Sequence, residues 1–170
     1  MISFDLSEEQ LMMRDMSRDF ARDRIRPLAN KHYRHGRDIP HEELEDLAAE
    51  ANELRLLDYS FPEEYGGLGV HDKMTPVLIG EELSWADSGI MVHLVASLLA
   101  AKAVEQMGNP DQLKHWLGML CNPDNKREVP GRAAFCLTEP DAGSAVTALR
   151  TFAKKDGDDY VLNGRKQFIT

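Results

Sequence analysis

The sequence predicts an α+β protein in which an N-terminal all-α helical bundle is followed by antiparallel β structure. Three observations carry this reading. Apolar residues recur with a helical period from Ser7 to about Leu120. The stretch from Cys121 to Gly131 is then broken by Pro123, Asn125 and Pro130. Beyond it the pattern changes to period two, with Asp156-Gly157 and Asn163-Gly164 as tight-turn signals. The domain boundary is therefore expected in that stretch, with a helical domain over residues 1–121 and a β-domain that begins at 122 and is incomplete at 170.

The helix starts are chemically marked. Ser7 with Gln10 forms a capping-box pattern, and Met12, Met16 and Phe20 follow at i+4 spacing as a core-facing stripe. Pro27 has no N–H to donate, so it is expected to bend or end this helix near Arg26, and Gly36 to Pro40 reads as a connection. The second helix carries Leu44, Leu47, Ala48 and Ala51 as its apolar stripe, with Glu42, Glu43, Glu45, Asp46 and Glu50 as a solvated face. Phe61-Pro62-Glu63-Glu64-Tyr65-Gly66-Gly67-Leu68-Gly69 is a loop of chain breakers. It is not a phosphate loop, because no Lys-Ser/Thr pair follows and no strand clearly precedes it.

A third helix is expected to start near Thr75-Pro76, with Pro in the first turn. The fourth, Ile90 to Val104, is apolar nearly all round, which predicts a place at the centre of the bundle or beneath another domain. Asn109-Pro110-Asp111-Gln112 supplies the cap, first-turn Pro and capping-box Gln of a fifth helix, with Leu113, Trp116 and Leu117 as its buried face. Four strands are expected after the boundary: Ala133 to Leu137, Leu149 to Lys154, Tyr160 to Leu162, and Lys166 to Thr170. The edge at Phe168-Ile169-Thr170 carries no charge or Pro to blunt it. Further polypeptide is expected to pair there, from downstream or from another chain.

Composition narrows the function classes. A chain of 170 residues with 42% hydrophobic and 29% charged residues can bury a real core and is not disorder-prone. A net charge of −9 without a Lys/Arg block argues against nucleic-acid or anionic-membrane surfaces, which would repel it. The apolar stretch Gly89 to Ala101 is shorter than the roughly 18 residues a bilayer needs, so no membrane span is expected. Cys121 and Cys136 are read as reduced thiols, with no metal site. The first residues show no secretory signal, so a cytoplasmic location is expected.

The chemistry concentrates in Phe135-Cys136-Leu137-Thr138-Glu139-Pro140-Asp141-Ala142-Gly143-Ser144 and Asn163-Gly164-Arg165-Lys166-Gln167-Phe168-Ile169-Thr170. An extended segment entering a Thr-Glu-Pro turn and a small Ala-Gly-Ser stretch can present several amides and two hydroxyls to one ligand. Gly143 allows close backbone approach.

These two segments, with Leu6-Ser7-Glu8-Glu9-Gln10 and the loop at Pro62 to Gly69 in the same order and spacing, resemble acyl-CoA dehydrogenases over the whole chain. The resemblance implies an N-terminal helical domain followed by the start of a β-barrel-like middle domain. It also implies FAD as cofactor, an acyl-CoA thioester as substrate, a homotetramer serving fatty acid metabolism, and electron-transferring flavoprotein as electron acceptor.

By the same resemblance Phe135, Leu137, Thr138, Gly143, Ser144, Phe168, Ile169 and Thr170 are the cofactor-binding residues. The Leu137 and Thr138 amides and the Thr138 hydroxyl are expected at the pyrimidine end of the flavin, and the Thr170 hydroxyl near N5. Phe168 occupies a place usually held by Trp, which keeps an apolar face and drops the indole N–H. Ser144 is expected where flavin and thioester meet. Met91, Val92 and Val95 are expected to line the acyl tunnel; His93 among them is read as structural, and His71 as a surface residue. Where the family commonly has Asp after Gly-Ser, this chain has Ala145, which puts local hydrogen bonding in doubt.

The implied reaction is α,β-desaturation, with a Glu as general base on a C-terminal helical domain. No acid of this chain is a credible substitute, so no catalytic residue is named, and the remaining C-terminal polypeptide or a second chain is expected in a homo- or hetero-oligomer. Two alternatives share the motifs: a flavin-dependent oxidase or monooxygenase of the same fold, and a non-catalytic fragment or partner subunit.

Overall fold

The computed structural model describes residues 5–121 and 133–169. Two compact units make up the chain, Met1–Ala133 and Ala134–Thr170. Pro123, Asn125 and Pro130, on which the expected boundary rested, lie outside the described residues, as does Thr170.

In the first unit, α1 (Glu8–Phe20) begins at the expected capping box: the Gln10 amide donates to Ser7 Oγ at 3.2 Å and the Ser7 amide to Gln10 Oε1 at 3.0 Å. Its buried face is Met13, Ser17 and Phe20, with Met16 packed alongside, whereas Met12 is 63% exposed. Each i+4 step drifts about 40° around the helix, so a stripe of two such steps starting at Met12 leaves the core that the Met13, Met16, Ser17 and Phe20 mixture keeps.

Pro27 does not end the helix. A π turn, Ala21–Ile25, closes with the Arg26 amide donating to the Ala21 carbonyl, and α2 (Arg26–Tyr33) follows with Pro27 in its first turn, where a missing N–H is tolerated.

The chain reverses at Gly36 (φ 59) into α3 (His41–Glu53), which buries Leu47, Ala48 and Ala51. Its acids are not uniformly solvated, because the Glu45 side chain is only 13% accessible. α4 (Met74–Ala86) is started by Asp72, which accepts from the Met74 and Thr75 amides at 2.8 Å and from the Thr75 hydroxyl at 2.7 Å. Pro76 falls in the first turn of that helix.

α5 (Ser88–Met107), capped by Asp87, is longer than its uninterrupted apolar stretch and buries only Ile90, Leu94 and Ala101. It is therefore not the enclosed centre of this unit, and Leu99 stands in solvent. At 20 residues and a mean hydropathy of 1.4 it is long and apolar enough, by length and composition alone, to cross a bilayer. The uncharged apolar stretch read from the sequence, Gly89 to Ala101, lies wholly within this helix.

α6 (Pro110–Leu120) has the expected Asn109/Gln112 capping box and buries Leu117. Trp116 is exposed against expectation, sitting about 100° around the helix from Leu117 and edge-on to His115.

α1 packs on α4, α4 on α5, α5 on α6, and α3 on α5. The main core holds Phe20, Ile25, Leu47, Leu56, Ile79 and Leu83; a smaller cluster joins Phe61, Ala101, Leu117 and Cys121. The glycine loop serves this packing. Gly66 sits at φ 95, and a Cβ at Gly67 would lie 2.1 Å from the Phe61 carbonyl oxygen.

The second unit holds a two-stranded antiparallel sheet, β1 (Phe152–Asp156) paired with β2 (Asp159–Asn163), turning at Gly157 (φ 62). Two of the four expected strands thus form. Residues 133–138 and 164–169 carry no ladder; they meet through one backbone bond, from the Gln167 amide to the Thr138 carbonyl at 2.9 Å. A single bond does not define the alternating pairs of an antiparallel ladder. Asn163-Gly164 makes no hairpin, since Gly164 packs directly on Thr151. Every strand residue is exposed, and among the described residues of this unit only Glu139 and Ala142 are buried.

Candidate cofactor site

The second unit is organised around a carboxylate rather than an apolar core. Glu139 is 6% exposed, and its two oxygens accept from the Arg150 amide at 2.7 Å, the Thr151 amide at 2.9 Å and Lys166 Nζ at 2.9 Å. Contacts with Thr151, the Arg150 amide and the Lys166 ammonium, in that order, hold its pKa down to about 2. Its backbone closes a tight reciprocal bridge with Ala142, at 3.0 and 3.1 Å, which places Pro140 and Asp141 at the tip; Asp141 pairs with Arg150 at 3.1 Å.

This knot positions both motif segments. Lys166 Nζ donates to the Leu137 carbonyl at 3.0 Å as well as to Glu139, and the Gln167 amide donates to the Thr138 carbonyl. The Leu137 and Thr138 amides meet no protein acceptor among the described residues. Phe135, Leu137 and Ile169 are exposed, and Phe168 is 84% exposed on a left-handed backbone (φ 58) that few non-glycine residues adopt. Gly143 and Ser144 are exposed, with nothing within 4 Å of a Cβ built at Gly143, so the approach there is open. Ala145 supports the following 3₁₀ turn through its backbone, its carbonyl accepting from the Ala148 amide at 2.9 Å, so that turn forms without an acid at this position. Free amides, the Thr138 and Ser144 hydroxyls and exposed apolar side chains together fit a flat ligand whose polar edge accepts hydrogen bonds.

The expected substrate-side residues lie in the first unit. Met91 and Val95 pack against the main core, whereas Val92 is exposed. His93 faces α3, its Nε2 3.8 Å from Glu45 Oε1, which also lies 3.7 Å from His41 Nε2. His71 is exposed. Among the described residues, no group of three or more His, Cys, Asp or Glu side chains could hold a metal ion.

Glu139 and Lys166 escaped the reading by residue type, because each sits inside a motif whose polar neighbours draw attention first. A usable signal was present in the sequence for Glu139, a carboxylate embedded in a Thr-Glu-Pro turn; Lys166, between Arg165 and Gln167, carries none.

Against known protein families, residues 7–124 match the acyl-CoA dehydrogenase N-terminal domain and residues 134–170 the acyl-CoA dehydrogenase middle domain. The chain belongs to the acyl-CoA dehydrogenase family. It is 33% identical over 169 residues to a probable medium-chain specific acyl-CoA dehydrogenase 2, mitochondrial, of Caenorhabditis briggsae, covering 99% of this chain and 38% of that protein. It is 37% identical over 165 residues to a (2S)-methylsuccinyl-CoA dehydrogenase of Cereibacter sphaeroides, covering 97% of this chain and 28% of that protein. An acyl-CoA dehydrogenase of Bacillus anthracis, solved in complex with FAD, superposes with a TM-score of 0.79 at 32% identity, over 97% of this chain and 27% of that one. The chain thus spans about two fifths or less of the length of these relatives.

Proposed function

We propose that this chain is the N-terminal portion of an FAD-dependent acyl-CoA dehydrogenase that desaturates an acyl-CoA thioester between its α and β carbons, with electron-transferring flavoprotein as acceptor. The observation that carries the reading is the pair of amides at Leu137 and Thr138 that find no protein acceptor among the described residues, beside exposed apolar side chains in the middle-domain segment of a dehydrogenase family. When bound, the flavin would supply a two-electron acceptor for the β-hydrogen.

This chain's residues bind and orient. The Leu137 and Thr138 amides and the Thr138 hydroxyl donate to the polar edge of the ring, and Phe135 and Phe168 cover apolar surface. Ser144 stands at the open end of the turn, where a thioester can meet it. The α-proton goes to a base that is none of the acids of this chain, and enolate-like charge on the thioester carbonyl is met by preorganised donors. Met91, Val92 and Val95 are assigned to the acyl side. A cytoplasmic location and an oligomeric assembly belong to the same proposal.

Two measurements test this reading. Native mass spectrometry of the purified protein should show FAD in an oligomer. Mixing that assembly with a panel of acyl-CoA thioesters should bleach the flavin, with reoxidation by electron-transferring flavoprotein far faster than by air. Rapid reoxidation by air would instead indicate an oxidase, and failure to bind flavin in any assembly would sink the proposal.

A further inference from the structure

We infer that Lys166 is a positioning residue that aims and polarises the Thr138 amide toward the flavin; this rests on the flavin reading above. In a trans peptide the carbonyl and the N–H of one unit point in opposite directions. The unit that carries the Leu137 carbonyl carries the Thr138 N–H. Lys166 Nζ donates to that carbonyl at 3.0 Å, so the Thr138 N–H is turned away from Lys166, and among the described residues it finds no protein acceptor. The next unit is held at both ends: the Thr138 carbonyl accepts from the Gln167 amide, and the Glu139 amide donates to the Ala142 carbonyl. The ammonium itself is kept in place by Glu139 at 2.9 Å, and that carboxylate is fixed by the Arg150 and Thr151 amides.

The result is a relay, from the amides of residues 150 and 151 through Glu139 and Lys166 to one outward-facing N–H. A cation on a carbonyl oxygen also polarises its peptide, which makes the opposite N–H a stronger donor. No apolar core exists in this unit to impose that orientation instead, since only Glu139 and Ala142 are buried there among the described residues.

Lys166→Met keeps the aliphatic stem and removes the charge and donors. In the flavin-binding assembly, its FAD dissociation constant should rise roughly tenfold, the size of one charge-assisted hydrogen bond. In flavin-free protein, the Thr138 amide proton should shift upfield and the Gln167 amide should lose exchange protection, while the Lys154 and Val161 amides of the hairpin keep theirs. Lys166→Arg, which retains a cationic donor, should restore the Thr138 shift and bring affinity to within about threefold of the parent.

An unchanged Thr138 shift together with unchanged FAD affinity in Lys166→Met would overturn the inference. If Lys166→Met also releases the hairpin amides, the Arg variant decides: recovery of the hairpin without recovery of the Thr138 shift counts against it, and recovery of both supports it. If the parent protein binds no FAD, the functional reading fails while the Thr138 and Gln167 amides still report on the relay itself.

Discussion

Arg55 Nε donates to both oxygens of Asp58, at 2.9 and 2.8 Å, and the carboxylate is 1% exposed. The same guanidinium donates to the Gly66 carbonyl, so one side chain, on a residue at φ 60, ties the end of α3 to the glycine loop. Burial raises the Asp58 pKa and Arg55 opposes that rise. Removing Arg55 therefore leaves a buried charge with no counter-ion. Arg55→Leu is expected to lower unfolding free energy at pH 7 by about 3 kcal/mol in chemical denaturation, with Asp58→Asn in that background recovering most of it. Because the lone carboxyl is relieved by protonation, the deficit should shrink as pH falls; a pH-independent deficit would refute this account.

Glu139 sets a pH limit on the second unit. Its folded pKa is depressed to about 2 from 4.5, so its contribution is fully present above pH 4.5 and is lost as pH falls through that window toward 2. The Arg150, Thr151 and Gln167 amide signals should therefore shift together as pH falls toward 2, where the folded-state Glu139 carboxylate takes up its proton. Glu139→Gln should show those changes already at neutral pH.

Two glycines should respond in opposite directions to alanine. At Gly67 the new Cβ meets the Phe61 backbone at 2.1 Å, so Gly67→Ala should destabilise by about 1–3 kcal/mol. Gly118, inside α6, has nothing within 4 Å, and Gly118→Ala should stabilise by roughly 0.5–1 kcal/mol through helix propensity. Thermal melts of both variants check the pair.

The two thiols differ in access. Cys121 is wholly buried, and burial pushes its pKa up to about 12, whereas Cys136 is exposed. A disulfide reagent at pH 8 should modify one equivalent rapidly, at Cys136 by peptide mapping, and the second only on unfolding.

Most of the helical unit could be read in the sequence because its signals are short-range. Ser7/Gln10 and Asn109/Gln112 each close a capping box within three residues, and both formed as expected. Asp72 was missed as the start of α4, since a residue two positions before a helix resembles any other loop acid until its oxygens are seen on the Met74 and Thr75 amides. In the candidate site the motif segments were legible from their order. Their geometry was not, because it depends on one carboxylate joined to partners 11, 12 and 27 residues away.

The sequence by itself determined the capping boxes that start α1 and α6, that β structure follows the helices, and the family to which the motif order points; each depends on neighbours within a few residues or on motif order. Only the tertiary structure decided that Met13 rather than Met12 enters the core, that a π turn carries the helix through Pro27, and that Glu139 and Lys166 hold the two segments in register. Burial and hydrogen-bond closure require atoms brought together from distant positions, and that proximity is a property of the folded chain.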